Sequence, residues 1–238
     1  MRDILAGIPI AGVTGINGAG KTLWAVNHCI QVMKTGRVVY STVQIKSPWG
    51  NSEPIVSLRQ LLTLRDCTIL LDDVAVIFPA SSTSLPPDVV TLLQTLRHVG
   101  CDVVWTAPAW MRCHNLLRDV TQGLLNVVPM MRRHDGDNPW PSPRWVRAGL
   151  LDTSSGKTDA EPTRVLRRVV AIPTRLDSWG AYDTRADTPM LGRHLHSSRC
   201  LDCHGAMDTP KHSPERHAHL GIPFYEDAAT SHQTPAIS

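Results

Sequence analysis

The sequence predicts an α/β protein built on a parallel sheet. From residue 8 to about 128, short β-branched runs alternate with longer helical ones, as strands joined by crossover helices do. A glycine-rich loop, TGINGAGKT at 14–22, lies between an apolar run and a helix-like run. A second apolar run, TILL, ends in Asp72 and Asp73. Because such strands are apolar throughout, we expect helices on both faces of the sheet.

Four runs rich in β-branched and apolar residues are predicted as the strands. They are IPIAGVT, RVVYSTVQI, CTILLDD and CDVVWTAP, at residues 8–14, 37–45, 67–73 and 101–108. Turn-rich segments, KSPWGNSEP and FPASSTSLPP, follow the second and third runs.

Three helices are predicted between these strands, at residues 21–34, 57–64 and 88–98. A serine, Ser57, can cap the second helix, while Gly36 and Gly100 stand where the first and third should end.

The composition changes after Pro129. A proline-rich link is predicted at 130–144, followed by two strands at 144–153 and 163–172. From His194 onward the chain is polar and rich in His and Pro, so we expect it to be mostly irregular. The predicted division is a core of residues 1–130, a β-rich extension of residues 131–192 and a tail of residues 193–238.

Charge and hydropathy exclude some classes of protein. A net charge of +3, from 24 basic and 21 acidic residues, permits contact with nucleic acid without arguing for it. No segment approaches the roughly 18 apolar residues of a membrane span, and the first residues lack a secretory signal pattern. We therefore expect a soluble, cytoplasmic protein. Four cysteines in apolar surroundings are predicted to be reduced core residues: Cys29, Cys67, Cys101 and Cys113.

The glycine-rich loop fits the phosphate-binding pattern G-x-x-x-x-G-K-[ST]. Backbone N–H groups of such a loop surround the phosphates of a nucleotide, and the helix that follows adds the positive end of its dipole. Lys21 is expected to reach the β- and γ-phosphates, and the Thr22 hydroxyl to bind Mg²⁺. The alternative is a glycine turn that binds nothing. The residues predicted to bind the nucleotide are Gly15, Asn17, Gly18, Ala19, Gly20, Lys21 and Thr22.

Asp72 and Asp73 supply the second half of such a site. A buried strand carries its terminal carboxylates to the same sheet edge as the loop, where Asp72 would hold Mg²⁺ and Asp73 would act as general base toward water. Alternatively, the two aspartates only end a strand. The adjacent pair favours ATP hydrolysis, because no guanine-reading N/T-K-x-D is complete: GKTD at 156–159 has Gly156 in the first position.

These motif blocks resemble a known family. TGINGAGKT, GRVVYSTV, LLDDVAVIFP and LRHVGCDVVWTAPAW…LLRDVT occur in the order found in the ATPase domain of the zonula occludens toxin (Zot)-like proteins, which include filamentous-phage assembly ATPases. The chain resembles even more closely the small ATP-binding proteins of actinobacterial plasmids and prophages. The resemblance implies an additional-strand P-loop NTPase fold, akin to the DNA-pumping (FtsK/HerA-like) and conjugative-transfer ATPases, which commonly assemble into rings.

The resemblance also implies roles for single residues. Asp73 stands where the family typically has glutamate and is shorter by about 1.5 Å, so hydrolysis is expected to be slow or to depend on a neighbouring subunit. Thr106 matches the polar residue that senses the γ-phosphate. Arg97 matches a basic position and is the candidate for an arginine finger given in trans; a helix-end arginine is the alternative. Arg118 is the weaker candidate.

The tail contains the spacing C-x₂-C-x₈-H-x₄-H. Cys200, Cys203, His212 and His217 could close a tetrahedral Zn²⁺ site, which would supply folding energy to a segment poor in core residues. The alternative is a His-rich tail without metal.

Together these features predict an ATPase of a phage, plasmid or integrated mobile element, with ATP and Mg²⁺ as cofactors. It would couple hydrolysis to DNA transfer, packaging or particle assembly. The expected partners are further copies of the chain in a ring, double- or single-stranded DNA, and a separate membrane protein, since the chain has no span of its own. The alternative is an ATP-gated adaptor or replication accessory protein with little turnover, and a small-molecule kinase is the weakest hypothesis.

Overall fold

A computed structural model describes residues 3–55, 58–78, 80–81, 87–133, 142–153 and 160–182. The strands are β1 (Ile10–Thr14), β2 (Val39–Ser41), β3 (Lys46–Ser47), β4 (Gly50–Asn51), β5 (Glu53–Pro54), β6 (Thr68–Leu71), β7 (Asp102–Ala107), β8 (Gly123–Arg133), β9 (Ser142–Asp152) and β10 (Val165–Ala171). The helices are α1 (Lys21–Met33), α2 (Leu58–Thr63), α3 (Val74–Ile77), α4 (Pro87–Thr95) and α5 (Asn115–Val120), with short 3₁₀ turns at Leu96–Val99, Trp110–Arg112 and Pro173–Arg175.

The described residues form one eight-stranded sheet in the order β10-β9-β8-β1-β7-β6-β2-β5, and β3 and β4 form a separate hairpin. From β8 to β5 every neighbouring pair is parallel, whereas β8, β9 and β10 pair antiparallel. The predicted α/β class is therefore confirmed. Strand β7 lies between β1, which precedes the glycine-rich loop, and β6, which precedes the two aspartates. This inserted strand is the additional strand that the resemblance implies.

Two apolar clusters cover the two faces of the central strands. One packs α1 against the sheet and contains Val13, Trp24 and Val104. The other contains Ile10 and Trp105 and packs the sheet against the helices of the opposite face. Helix α1 buries most of its length because it crosses the middle of the sheet.

The cysteines predicted to be core residues are buried and free: Cys29, Cys67, Cys101 and Cys113. Burial raises the pKa of the Cys67 thiol to about 12 and that of the Cys113 thiol to about 12, so neither ionises at neutral pH.

The second predicted strand is much shorter in the structure than its apolar run. Strand β2 ends at Ser41, and the following residues turn into the β3–β4 hairpin. The Thr42 N–H still donates to the Leu70 carbonyl of β6, but Thr42 lies just beyond the carboxyl end of β2.

Strand β8 and helix α5 were not predicted, and the link expected at 130–144 is shorter than its proline-rich sequence indicates. Strand β8 continues to Arg133 and β9 begins at Ser142. Pro129 is tolerated because β8 pairs with β1 only over residues 123–126, so at Pro129 the described strands leave β9 as its one paired neighbour. Strand β8 crosses residue 130, and the division of the chain into three parts stays a prediction.

Strands β8, β9 and β10 are named the antiparallel wing here. Its inner face, with Val127, Val146 and Ala148, joins the cluster around α1. In β10 only the last residue, Ala171, is buried. No helix in the described part of the chain is long and apolar enough to cross a membrane.

Candidate functional site

The glycine-rich loop follows β1 at the carboxyl edge of the parallel strands. Gly15 has φ 154°, and a Cβ there would lie 2.4 Å from the Val127 carbonyl oxygen of β8. Gly20 has φ 92° and precedes the first residue of α1. Both positions need glycine, one for space and backbone conformation and the other for conformation alone. Glycine has no side chain that could cap the helix. The N–H groups in the first turn of α1 are therefore available to bind an anion.

Lys21 is half-buried at the start of α1. Its Nζ donates to the Ile16 carbonyl at 3.4 Å, a long contact that a phosphate oxygen can replace. Burial lowers the pKa of Lys21, and the charges of Asp73 and Asp72 oppose that shift. An anion bound in the loop would stabilise the charged form further.

Asp72 is the centre of a hydroxyl network. Its Oδ1 accepts from Thr22 Oγ1 at 2.8 Å and from Thr106 Oγ1 at 2.7 Å. Its backbone N–H donates to Thr42 Oγ1 at 2.8 Å. Hydrogen bonds from α1 and β7 thus meet at the Asp72 carboxylate, and the residue after β2 binds the Asp72 backbone, at the sheet edge that the sequence predicts.

Asp73 has the left-handed backbone conformation, with φ 51°. Its N–H donates to Thr106 Oγ1 at 2.9 Å, so the same hydroxyl fixes both aspartates. Burial raises the pKa of the Asp73 carboxyl, the charge of Asp72 raises it further, and Lys21 opposes the shift. A carboxylate with a raised pKa is the better proton acceptor, as a general base requires.

Two residues at this edge were not predicted. Thr42 was missed because the second strand was expected to continue to residue 45; a polar residue just after a shorter strand would have been the signal. Tyr182 forms an isolated antiparallel bridge with Ile45, more than a hundred residues away in sequence. Burial raises the pKa of the Tyr182 phenol and the Asp72 charge raises it further, so Tyr182 lies within the electrostatic reach of Asp72. No local pattern indicates that contact.

The residues at the network fit a magnesium ion. Thr22 Oγ1 and Asp72 Oδ1 are 2.8 Å apart, and both are the hard oxygen donors that Mg²⁺ prefers. Magnesium commonly uses one or two carboxylates together with phosphates and water. The described residues contain no cluster of three or more His, Cys, Asp and Glu able to hold a metal, and a magnesium site of this kind does not require one.

The two arginine candidates differ in position. Arg97 lies in the 3₁₀ turn after α4, and only its backbone is described. Arg118 lies in α5, is 8% exposed, and directs Nη1 at the Met111 sulfur at 3.1 Å. An arginine given to a neighbouring subunit must leave the surface of its own, so the packing of Arg118 disfavours it.

Other predicted features lie outside the described residues. They are GKTD at 156–159 and the tail residues Cys200, Cys203, His212 and His217, so the zinc site stays a prediction.

No protein-family profile and no curated protein sequence matches this chain. Among solved structures, it is similar to the N-terminal domain of zonular occludens toxin from Neisseria meningitidis, with 16% identity, a TM-score of 0.50, and coverage of 74% of this chain and 99% of that one. Weaker likenesses are the genome packaging NTPase B204 from Sulfolobus turreted icosahedral virus 2 in complex with ATP-gammaS (10% identity, TM-score 0.42, coverage 62% and 93%) and the flagellar accessory protein FlaH from Methanocaldococcus jannaschii (12%, 0.41, 71% and 88%). The first likeness shows the shared fold and, with the loop and the strand order, establishes the P-loop NTPase fold that the sequence predicts.

Proposed function

We propose that the protein is an ATPase of a phage, plasmid or integrated mobile element, which couples ATP hydrolysis to DNA transfer, packaging or particle assembly. The observation that carries the proposal is the Asp72 carboxylate, held by Thr22 of the loop helix and by Thr106 of the neighbouring strand. The order of the motif blocks, which resembles the Zot-like ATPases, supports the mobile-element setting. A cytoplasmic location and a membrane-protein partner stay predictions of the sequence.

Each side chain of the network has a role in this proposal. Thr22 and Asp72 would hold Mg²⁺, which, when bound, neutralises charge on the phosphates. Lys21 binds the phosphates from the side of the helix dipole. Asp73, with its raised pKa, orients a water and takes its proton, while Thr106 keeps the backbone of Asp73 in place.

Phosphate release and nucleotide binding test the assignment. Lys21→Ala should abolish nucleotide binding or turnover, whereas Asp73→Ala should leave binding intact and stop turnover. Matched controls are Lys46→Ala and Asp119→Ala, which remove the same charges from exposed side chains that are not part of the network. If phosphate release is unchanged in both site variants, the assignment is wrong.

A second function is favoured by one observation, the short side chain of Asp73. With about 1.5 Å less reach than glutamate, it could leave ATP bound and uncleaved, as in a nucleotide-gated adaptor. Steady-state phosphate release with and without double-stranded DNA separates the two functions. An Asp73→Glu variant that gains turnover would identify reach as the limit, and a wild-type chain that binds ATP without release under both conditions would favour the adaptor.

We also propose that Arg97 acts in trans within a ring. An arginine finger would act on the γ-phosphate, and the packing of Arg118 inside its own subunit leaves Arg97 as the candidate. Mixing Lys21→Ala subunits with Arg97→Ala subunits should restore part of the activity, because one interface in the mixture then has an intact loop and an intact finger. No recovery, in a mixture that size-exclusion chromatography with ATP shows to be assembled, would refute the role.

A further inference from the structure

The outer face of the antiparallel wing is open. Strand pairing places Val128, Arg147 and Val170 in one row across β8, β9 and β10. In the neighbouring row on the same face, Met130 of β8 lies opposite Trp145 of β9. These residues alternate with Val127, Val146 and Ala148, which face α1, so they point away from the core. Val128, Met130 and Val170 are 37%, 38% and 52% exposed. The open face is defined by Val128, Met130, Trp145, Arg147, Arg168 and Val170.

A further observation indicates that no residue in the described part of the chain covers the face around Gly149. Gly149 lies beside Arg168 in the row next to Arg147, and a Cβ built on Gly149 would have no atom within 4 Å. The two arginines are diagonal neighbours, about 7–8 Å apart at their Cα atoms. Both side chains are exposed, and no ion pair joins either of them to another described residue.

The charge of the wing has one sign. Its exposed arginines are Arg144, Arg147, Arg167 and Arg168, and the exposed Arg164 directly precedes β10. The only acid in its three strands is Asp152, which pairs with Arg164 at 3.4 Å. A merely solvated face would carry both signs and few apolar side chains, whereas this one combines exposed arginines with exposed Val and Met and a half-buried Trp145.

This chemistry selects among occupants. A second copy pairing along the β10 edge would bring arginines against arginines, which is unfavourable. A single strand of nucleic acid offers phosphates to the arginines and base faces to Trp145 and its apolar neighbours, which is how flat sheets bind single strands. Duplex DNA would present phosphates but no unstacked bases.

We propose that the open face binds single-stranded DNA, with Arg147 and Arg168 on the phosphates and Trp145 against a base. The inference rests on the proposed function for its choice of DNA. Strand β8 lies against the phosphate loop, since a Cβ built on Gly15 would lie only 2.4 Å from the Val127 carbonyl oxygen. The DNA would therefore lie on a wing of which one strand also contacts the loop.

Fluorescence anisotropy with a labelled single-stranded oligonucleotide tests the proposal on the full chain. The double variant Arg147→Gln/Arg168→Gln should weaken binding at least tenfold and lower the slope of log K against log[salt] by about 1.4, for two phosphate contacts on a single strand. Trp145→Leu should weaken binding about fivefold or more with the salt slope unchanged, because it removes a stacking face and no charge. Arg65→Gln, at an exposed arginine that precedes β6, several strands away from the wing, is the matched control and should bind as the wild type does.

Phosphate release without DNA separates this proposal from the proposed function. Suppose that the wild-type chain hydrolyses ATP but does not bind the single strand, or that the double variant binds it as tightly as the wild type. Either result would refute the proposed DNA-binding face and leave the proposed ATPase intact. Absent turnover in a wild-type chain that binds the oligonucleotide through these residues would overturn the ATPase and keep the surface. Equal affinity for the duplex, or a double variant that changes oligomeric state but not DNA binding, would also overturn the single-strand site.

Discussion

The parallel strands and the antiparallel wing belong to one sheet but are packed differently. All five residues of β1 are buried, whereas β10 buries only one of seven. In the parallel part, helices fill both faces, so side-chain volume decides which residues fit. In the wing, one face is filled, while the described residues leave the exposed side chains of the other face uncovered, so those side chains contribute little to packing. The same substitution should therefore have different consequences in the two regions.

The largest expected contrast is between two glycines. A Cβ on Gly12 in β1 would lie 2.4 Å from the Trp105 ring, so Gly12→Ala must displace a large buried side chain and should cost more than about 3 kcal/mol. Gly149→Ala, in the open part of β9, should be neutral or stabilise by about 0.5 kcal/mol, because alanine loses less backbone entropy. Urea unfolding measures both. Equal effects at the two positions would refute the contrast.

The next contrast concerns a buried hydrogen bond. Trp105 Nε1 donates to Thr121 Oγ1 at 3.0 Å inside the core. Thr121→Val keeps the shape but leaves that donor unpaired, and should cost about 1–3 kcal/mol. Thr63→Val is the control. The Thr121 hydroxyl donates to the Leu117 carbonyl and the exposed Thr63 hydroxyl donates to the Gln60 carbonyl, so both variants lose such a bond. The control should change the free energy of unfolding by no more than about 0.5 kcal/mol. A Thr121 variant as stable as the control would contradict this account.

A smaller effect is expected at the site. Burial and the charge of Asp72 raise the pKa of Asp73, so the ionised carboxylate is disfavoured in the folded state. At a pH above this raised pKa, the ionised Asp73 lowers the free energy of unfolding. Asp73→Asn should therefore raise the thermal midpoint at pH 7, by less than about 3 °C, and this gain should vanish as the pH falls and Asp73 takes up its proton. Differential scanning calorimetry from pH 4 to 8, with Asp119→Asn as control, checks the sign. A lower midpoint at pH 7 would oppose it.

The smallest effect is expected on the open face. Val170 is 52% exposed, so Val170→Thr should change the free energy of unfolding by no more than about 0.5 kcal/mol. Val104→Thr, at a residue 1% exposed, should cost about 1–3 kcal/mol because a hydroxyl enters the core. A comparable loss at Val170 would mean that the open face is packed.

The sequence was sufficient for the parallel part because its signals are local. Continuous apolar runs, the glycine pattern and the aspartate pair each occupy a few adjacent residues, and strand direction then brings Thr22 and Asp72 to one edge. The wing was predicted less well. A proline-rich link was expected after Pro129 and no strand was predicted before it, whereas β8 runs through that proline, which is tolerated because it lies beyond the pairing of β8 with β1.

Long-range contacts explain the remaining differences at the site. Tyr182 comes close to Asp72 through a bridge to Ile45, and both ends lie in irregular chain. Thr42 supports the backbone of Asp72 because β2 ends early. Both depend on the path of the chain outside helices and strands, which periodicity does not describe.

The contact between Gly15 and the Val127 carbonyl changes how the loop motif should be weighed as a signature. The first glycine of the pattern is required by the neighbouring strand, whether or not a nucleotide ever binds. A related protein that had lost its catalytic activity would still need Gly15 in order to fold. Lys21 makes only a long contact with the Ile16 carbonyl, whereas Thr22 also joins the helix to Asp72, so Lys21 is the most informative residue of the motif.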